Sequence, residues 1–145
     1  MITYKILRNT GLYTALAICL FLPQTVLAGV AVIVNPASPL STVEAGEIKK
    51  VFLAKSKKIS GHIIKPIDNG EGDIRDKFLI SVVGKKPRVF KSHWIRLIFS
   101  GKSAPLKSGG DDAGVKKWVS SHIDAIGFID NDNVDDTVKV IFKVD

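Results

Sequence analysis

The residues best placed to do chemistry lie in Pro66–Phe78, "PIDNGEGDIRDKF". Gly70 and Gly72 flank Glu71, and a helical pattern opens directly after them. Backbone amides at a helix start are free to donate to an anion. Arg75, in the expected first turn, would add a guanidinium that can grip an oxyanion with two parallel bonds. Glu71 and Asp73 oppose that chemistry. At 4 Å two like charges repel by about 1 kcal/mol in water and about 4 at an effective dielectric of 20. A hydrogen bond to a charged group returns roughly 1.5–3 kcal/mol. An inward Glu71 can therefore cancel a backbone contact.

A second set of donors lies in "NPASPLST", where Ser38, Ser41 and Thr42 precede another helical pattern. An anion held between the two helix starts would touch Ser38, Ser41, Thr42, Gly70, Glu71, Gly72, Asp73 and Arg75. The plainer alternative is that Ser41 and Asp73 only cap helices and Arg75 only pairs with a nearby acid.

The elements that must position these residues read as follows. "VAVIVNP" is a β-branched apolar run stopped by Pro36, a buried strand. Ser41 and Glu44 have capping-box spacing, with Val43, Ile48, Val51 and Phe52 as an apolar stripe weakened by Gly46. "HIIKPID" is a second strand, with Pro66 marking its end or an edge. Asp73 caps the next helix, whose inner face is Ile74, Phe78, Leu79 and Val82 and whose stop is Gly84. Pro87 opens a helix carrying Phe90, Trp94, Leu97 and Ile98 inward, ended by Gly101. "KSAPLKSGG" is a loop. Asp111 and Asp112 favour a helix start ahead of Val115, Trp118 and Val119. "AIGFID" and "TVKVIFKV" are strands; in the latter Val138, Val140, Phe142 and Val144 alternate with Lys139 and Lys143, which would blunt an edge. The order β, α, β, α, α, α, β, β indicates an α/β class with one mixed sheet packed by helices.

Composition narrows the function. Residues 1–28 read as a secretory signal peptide: Lys5 and Arg8, then "LYTALAICLFL", then Val26 and Ala28 ahead of the cut. An uncleaved anchor, or a lipoprotein acylated at Cys19, are the rival readings; Ile18 is large for the latter. Residues 29–145 form one domain and hold no cysteine, since the chain's one cysteine leaves with the leader. The periplasm is the expected compartment. The chain's net charge of +7, of which Lys5 and Arg8 carry two, is spread over dispersed lysines. It describes a solvated face or an attraction to anionic ligands or membrane. No nucleic-acid motif is present, and nucleic acid is not an expected partner.

Two further patterns carry no chemistry on inspection. "DNDNVDD" lacks the glycine and glutamate that an EF-hand loop needs at its sixth and twelfth positions. His62, His93 and His122 have no metal-ligand spacing, and no nucleophile elbow is present. No enzyme and no cofactor are expected.

Several stretches together resemble the phosphate-type substrate-binding proteins of ABC transporters, in their small, single-lobe form. "VNPASPLSTVEAGEIKKVFLAKSKKISGHIIKPID" is similar to the family's N-P-x-x-x-L-S…E-I-x-x-I-F-L-G-K…G-x-x-I-x-P-V run. "IRDKF" looks like R-x-x-F, "HWIRLIFSGK" like Y-W-x-x-x-x-F-x-G-K, and "VKKWVSSHIDAIGFID" like V-x-x-x-x-G-A-I-G-Y. The resemblance spans roughly Ala31 to Val144 and implies a single periplasmic-binding-protein lobe. It implies phosphate or a related oxyanion as ligand and a membrane transporter as partner. The chain departs from the R-x-D-G-S-G-T loop of large phosphate receptors, with Ile67, Asn69, Glu71 and Asp73 at its arginine, aspartate, serine and threonine. An alternative function follows from that departure: an interaction module, without ligand, acting on a membrane sensor or transporter.

Overall fold

The computed structural model describes residues 28–145, so the leader expected over residues 1–28 lies almost wholly outside it. Strand β1 (Val30–Val34) is buried at all five positions. It lies inside a five-stranded sheet of order β5-β4-β6-β1-β7, covered on both faces. A strand without polar alternation fits that place. β6 (Ala125–Asp130) and β7 (Lys139–Val144) pair antiparallel with β1. β4 (Lys65–Asp68) pairs parallel with both β6 and the short β5 (Lys107–Ser108). The mixed α/β sheet expected from the element order is present.

One face carries α1 (Ala45–Phe52), α2 (Asp73–Phe78) and α3 (Pro87–Phe99). Its centre is an aromatic trio. Phe78 stacks on Phe128 at 3.8 Å between centroids, and Phe52 meets Phe78 edge-on at 4.8 Å. α2 widens into a π turn over Leu79–Val83, which buries Leu79, Val82 and Val83, and Gly84 stops it with φ 71°. The other face carries α4 (Asp112–Ser121), whose Val115 and Val119 pack on Ala31, Ile33, Ile67 and Ile129. Gly127 permits this. A Cβ there would stand 2.5 Å from Val115 and 2.9 Å from Ile67.

The short β5 forms inside the loop expected over Lys102–Gly110, and five further local expectations change. α1 begins at Ala45, so Ser41 does not cap it and the Ser41–Glu44 box is not formed. The chain before it is held against β7 instead, where Val43 N–H donates to Ile141 O at 3.2 Å. Gly72, not Asp73, is the N-cap of α2. The strand expected over His62–Asp68 breaks at Ile64: β3 (His62–Ile63) forms a hairpin with β2 (Lys58–Ile59), and Lys65 begins β4. Pro66 sits within the sheet, where β4 touches only β6, because pairing with β5 starts at Ile67. Ile98 faces solvent while Phe90 and Trp94 are buried.

The fifth change is the phase of β7. Val32 pairs with Phe142 and Ile33 with Val140, so Ile141 is an inserted bulge residue. The bulge sends Val138 and Val140 to the α4 face, and Ile141, Phe142 and Val144 to the other. β7 is an edge strand, with Lys143 exposed along it.

Candidate functional site

β4 and β6 are parallel, so both end on the same side of the sheet, at Asp68 and Asp130. The chain leaving β4 goes to α2 on one face, and the chain leaving β5 goes to α4 on the other. Two neighbouring parallel strands with helices on opposite faces leave a crevice at their carboxyl ends, the usual ligand position in open α/β sheets. A hollow of about 370 Å³ lies there. Gly70–Arg75 form one wall and Gly110–Asp112 the other, with Asn69 and Asn133 between.

Glycine lets the two walls meet. Gly70 has φ 100°, and a Cβ on it would stand 2.6 Å from Gly110 O. Asn69 is buried and bridges the strand ends, its Nδ2 donating to Asp112 Oδ1 at 2.5 Å and to Phe128 O at 2.9 Å. Asp112 is fully engaged. Its Oδ2 accepts from Asp130 N–H at 3.0 Å and from Asn133 Nδ2 at 2.6 Å. Asp111 caps α4 by accepting from Gly114 N–H at 2.8 Å.

Arg75 Nε donates to both carboxylate oxygens of Asp68, at 3.0 and 2.8 Å. Its guanidinium carbon lies 5.4 Å from the Phe90 ring centroid, a cation–π contact. Both bonds use Nε, and the guanidinium lies with Asp68 and Phe90 in the groove beside α3, while Arg75 as a residue also borders the hollow. The first backbone bond of α2 runs from Asp76 N–H to Gly72 O, and that of α4 from Val115 N–H to Asp111 O. The amides of Asp73, Ile74, Asp112 and Ala113 precede those bonds and have no acceptor within their helices. Two helix starts therefore open into one hollow. Glu71 and Asp73 are exposed at its mouth.

The structure brings together five of the eight residues singled out in the sequence: Gly70, Glu71, Gly72, Asp73 and Arg75. Ser38, Ser41 and Thr42 are elsewhere. β1 runs against β4 and β6, with Val34 opposite Ile126 at the start of β6, so the segment after it leaves at the other end of the sheet. There Asn35 Nδ2 donates to Val119 O and Ser120 O in the last turn of α4. Ser38 Oγ accepts from Leu40 N–H at 3.3 Å and forms a local turn. The partner of the Gly70–Arg75 loop is the start of α4. In the sequence Asp111 and Asp112 stand out only as acids favourable to a helix dipole. The visible signal was a second glycine pair, Gly109–Gly110, placed like the first after a strand; β5 was too short to announce that strand.

No family model matches the sequence, and no curated protein does so. Solved structures do. A protein of Clostridium perfringens, assigned as a phosphate ABC transporter substrate-binding protein and solved with bound phosphate, aligns with TM-score 0.62 at 21% identity, over 79% of this chain and 44% of its own. An ABC-type phosphate transport receptor from Vibrio cholerae aligns with TM-score 0.59 at 18% identity, over 79% and 45%. The fold is that of one lobe of a phosphate-type substrate-binding protein. A protein of Planctomyces limnophilus assigned to phosphate binding gives TM-score 0.52 at 14% identity, over 79% and 40%. The chain spans less than half the length of each of these proteins. The likeness is thus one of architecture.

Proposed function

We propose that the protein is an exported, non-enzymatic solute-binding lobe that takes phosphate or a related small oxyanion, in the periplasm, on behalf of an ABC transporter. The observation that carries this reading is the shared hollow at the starts of α2 and α4, at the carboxyl ends of parallel strands. Amides without helical acceptors at the two helix starts give it donors, and Arg75 on its wall adds positive charge. The likeness to a phosphate-bound relative supports the same ligand class.

Glu71 and Asp73 then act as acceptors. A carboxylate can only accept hydrogen bonds, so it repels a fully ionised anion but receives the O–H of an anion that keeps a proton. Phosphate carries such a proton near neutral pH and sulfate does not. The hollow therefore favours phosphate over sulfate, with modest affinity, because an open site leaves ligand and donors solvated.

Isothermal titration at low salt tests this. Inorganic phosphate should bind more tightly than sulfate, Arg75→Ala should abolish the heat, and Glu71→Gln should narrow the phosphate–sulfate difference. Absence of heat with both anions at millimolar concentration overturns the reading. The interaction module acting on a membrane sensor or transporter, which the exposed acids at the mouth favour, would then take its place.

A further inference from the structure

Between Lys85 and Gly110 the chain carries seven lysines and arginines and no acid. None of the seven enters an ion pair among the described residues, where the pairs are Lys65–Asp124, Arg75–Asp68 and Lys116–Asp135. The same stretch exposes large apolar side chains. Phe99 is 87% exposed, Ile95 43% and Ile98 38%. These three stand at i, i+3 and i+4 on the last turns of α3, where Ile95 and Ile98 border a groove shared with Phe90 and Trp94 and Phe99 protrudes beyond it. The apolar surface of α3 therefore extends beyond the part that the sheet covers. Lys91, Arg96 and Lys102 surround the exposed stripe.

We propose that this face of α3 docks peripherally on an anionic lipid surface, with Phe99, Ile98 and Ile95 entering the headgroup boundary and the cations over it. Basic residues beside exposed aromatic and aliphatic ones are the pattern of interfacial helices. A lipid surface offers anions without fixed geometry, which suits cations with no acidic partner; Lys107 stands apart from them, its Nζ 3.8 Å from the Trp118 ring centroid. The lipid surface also receives a protruding Phe99 without a shaped pocket. A second copy bound face to face would set these cations against each other. No helix among the described residues is long and apolar enough to cross a membrane, so the contact is a surface one. The inference is independent of the oxyanion reading.

The test uses residues 29–145, which hold both packed cores, in sedimentation with vesicles. The protein should pellet with vesicles of phosphatidylglycerol and phosphatidylethanolamine, and not with phosphatidylcholine alone. Added salt should release it. Ile98→Ser with Phe99→Ser should weaken binding by roughly tenfold or more. Replacing Lys91, Arg96 and Lys102 by glutamine should weaken it by roughly fivefold per charge. All five positions are exposed, so unchanged thermal unfolding will show that the variants are folded. Equal binding to phosphatidylcholine, or binding unaffected by the Ile98/Phe99 change, overturns the proposal. Concentration-dependent dimerisation removed by that change overturns it in favour of a second copy. Binding to polyglutamate but to no vesicle overturns it in favour of an acidic protein partner.

Discussion

Arg75 shows how one side chain is divided between structure and site. Nε holds Asp68 at the end of β4, the ring of Phe90 supports the guanidinium plane, and the residue also borders the hollow. Lysine could not reproduce this, since a point charge lacks the planar fork. A simpler pair sits away from the hollow. Lys116 Nζ donates to Asp135 Oδ2 at 2.7 Å, and Thr137 donates to the same carboxylate. The Lys116 bond is the largest cause, and Asp135 is held down at about 2, below its ordinary 3.8. A depressed carboxylate adds stability above its unfolded value, and that stability fades as pH falls from about 3.8 through about 2. The carboxylate is exposed, so the contribution is small and screened by salt. In Lys116→Met, a carboxyl NMR titration should find the Asp135 midpoint moved up toward the ordinary range. An unmoved midpoint would assign the shift to Thr137.

Elements decide whether the hollow exists. The two loops that wall it touch backbone to backbone at Gly70 and Gly110, and neither loop can retreat without dragging a strand end. Gly70→Ala puts a methyl 2.6 Å from Gly110 O on a backbone with φ 100°. The strained backbone alone costs about 1–3 kcal/mol. Denaturant unfolding should show that loss, and phosphate titration a weakened site; full stability would mean the loops separate freely. Much at this scale was legible in the sequence. Val30–Val34, the α3 stripe of Phe90 and Trp94, and the αL stops at Gly84 and Gly101 follow from apolar spacing and glycine alone. β5 was illegible, because Lys107–Ser108 becomes a strand only when β4 offers it a partner. The Ile141 bulge was illegible for a related reason: alternation along β7 looks regular until β1 imposes its register. Ser41 looked like a cap because its spacing to Glu44 is right, but the pull of β7 on Val43 lies in no local pattern.

At the scale of the whole molecule, the site was half legible. Its first wall could be read from Gly70, Gly72 and Arg75. Its second could not, because only strand order and direction bring the start of α4, rather than that of α1, to the same end of the sheet. Those directions also explain why one long apolar run can serve two cores: β1 gives Val30, Val32 and Val34 to one face, and Ala31 and Ile33 to the other. The pairing of β1 with β7 reaches further. Val30 sits opposite Val144, and Gly29 O accepts from Asn131 N–H beside the hollow. A short linker could therefore join Asp145 to Gly29, with a new opening at the exposed Ser60–Gly61 hairpin tip, and leave every pairing of the five-stranded sheet in place. Such a circular permutant should unfold at nearly the native temperature; one that does not fold would mean β1 must be laid down first. By the same geometry, a tag or tether fused at either of these two positions leaves from one corner of the lobe, on the side of the hollow.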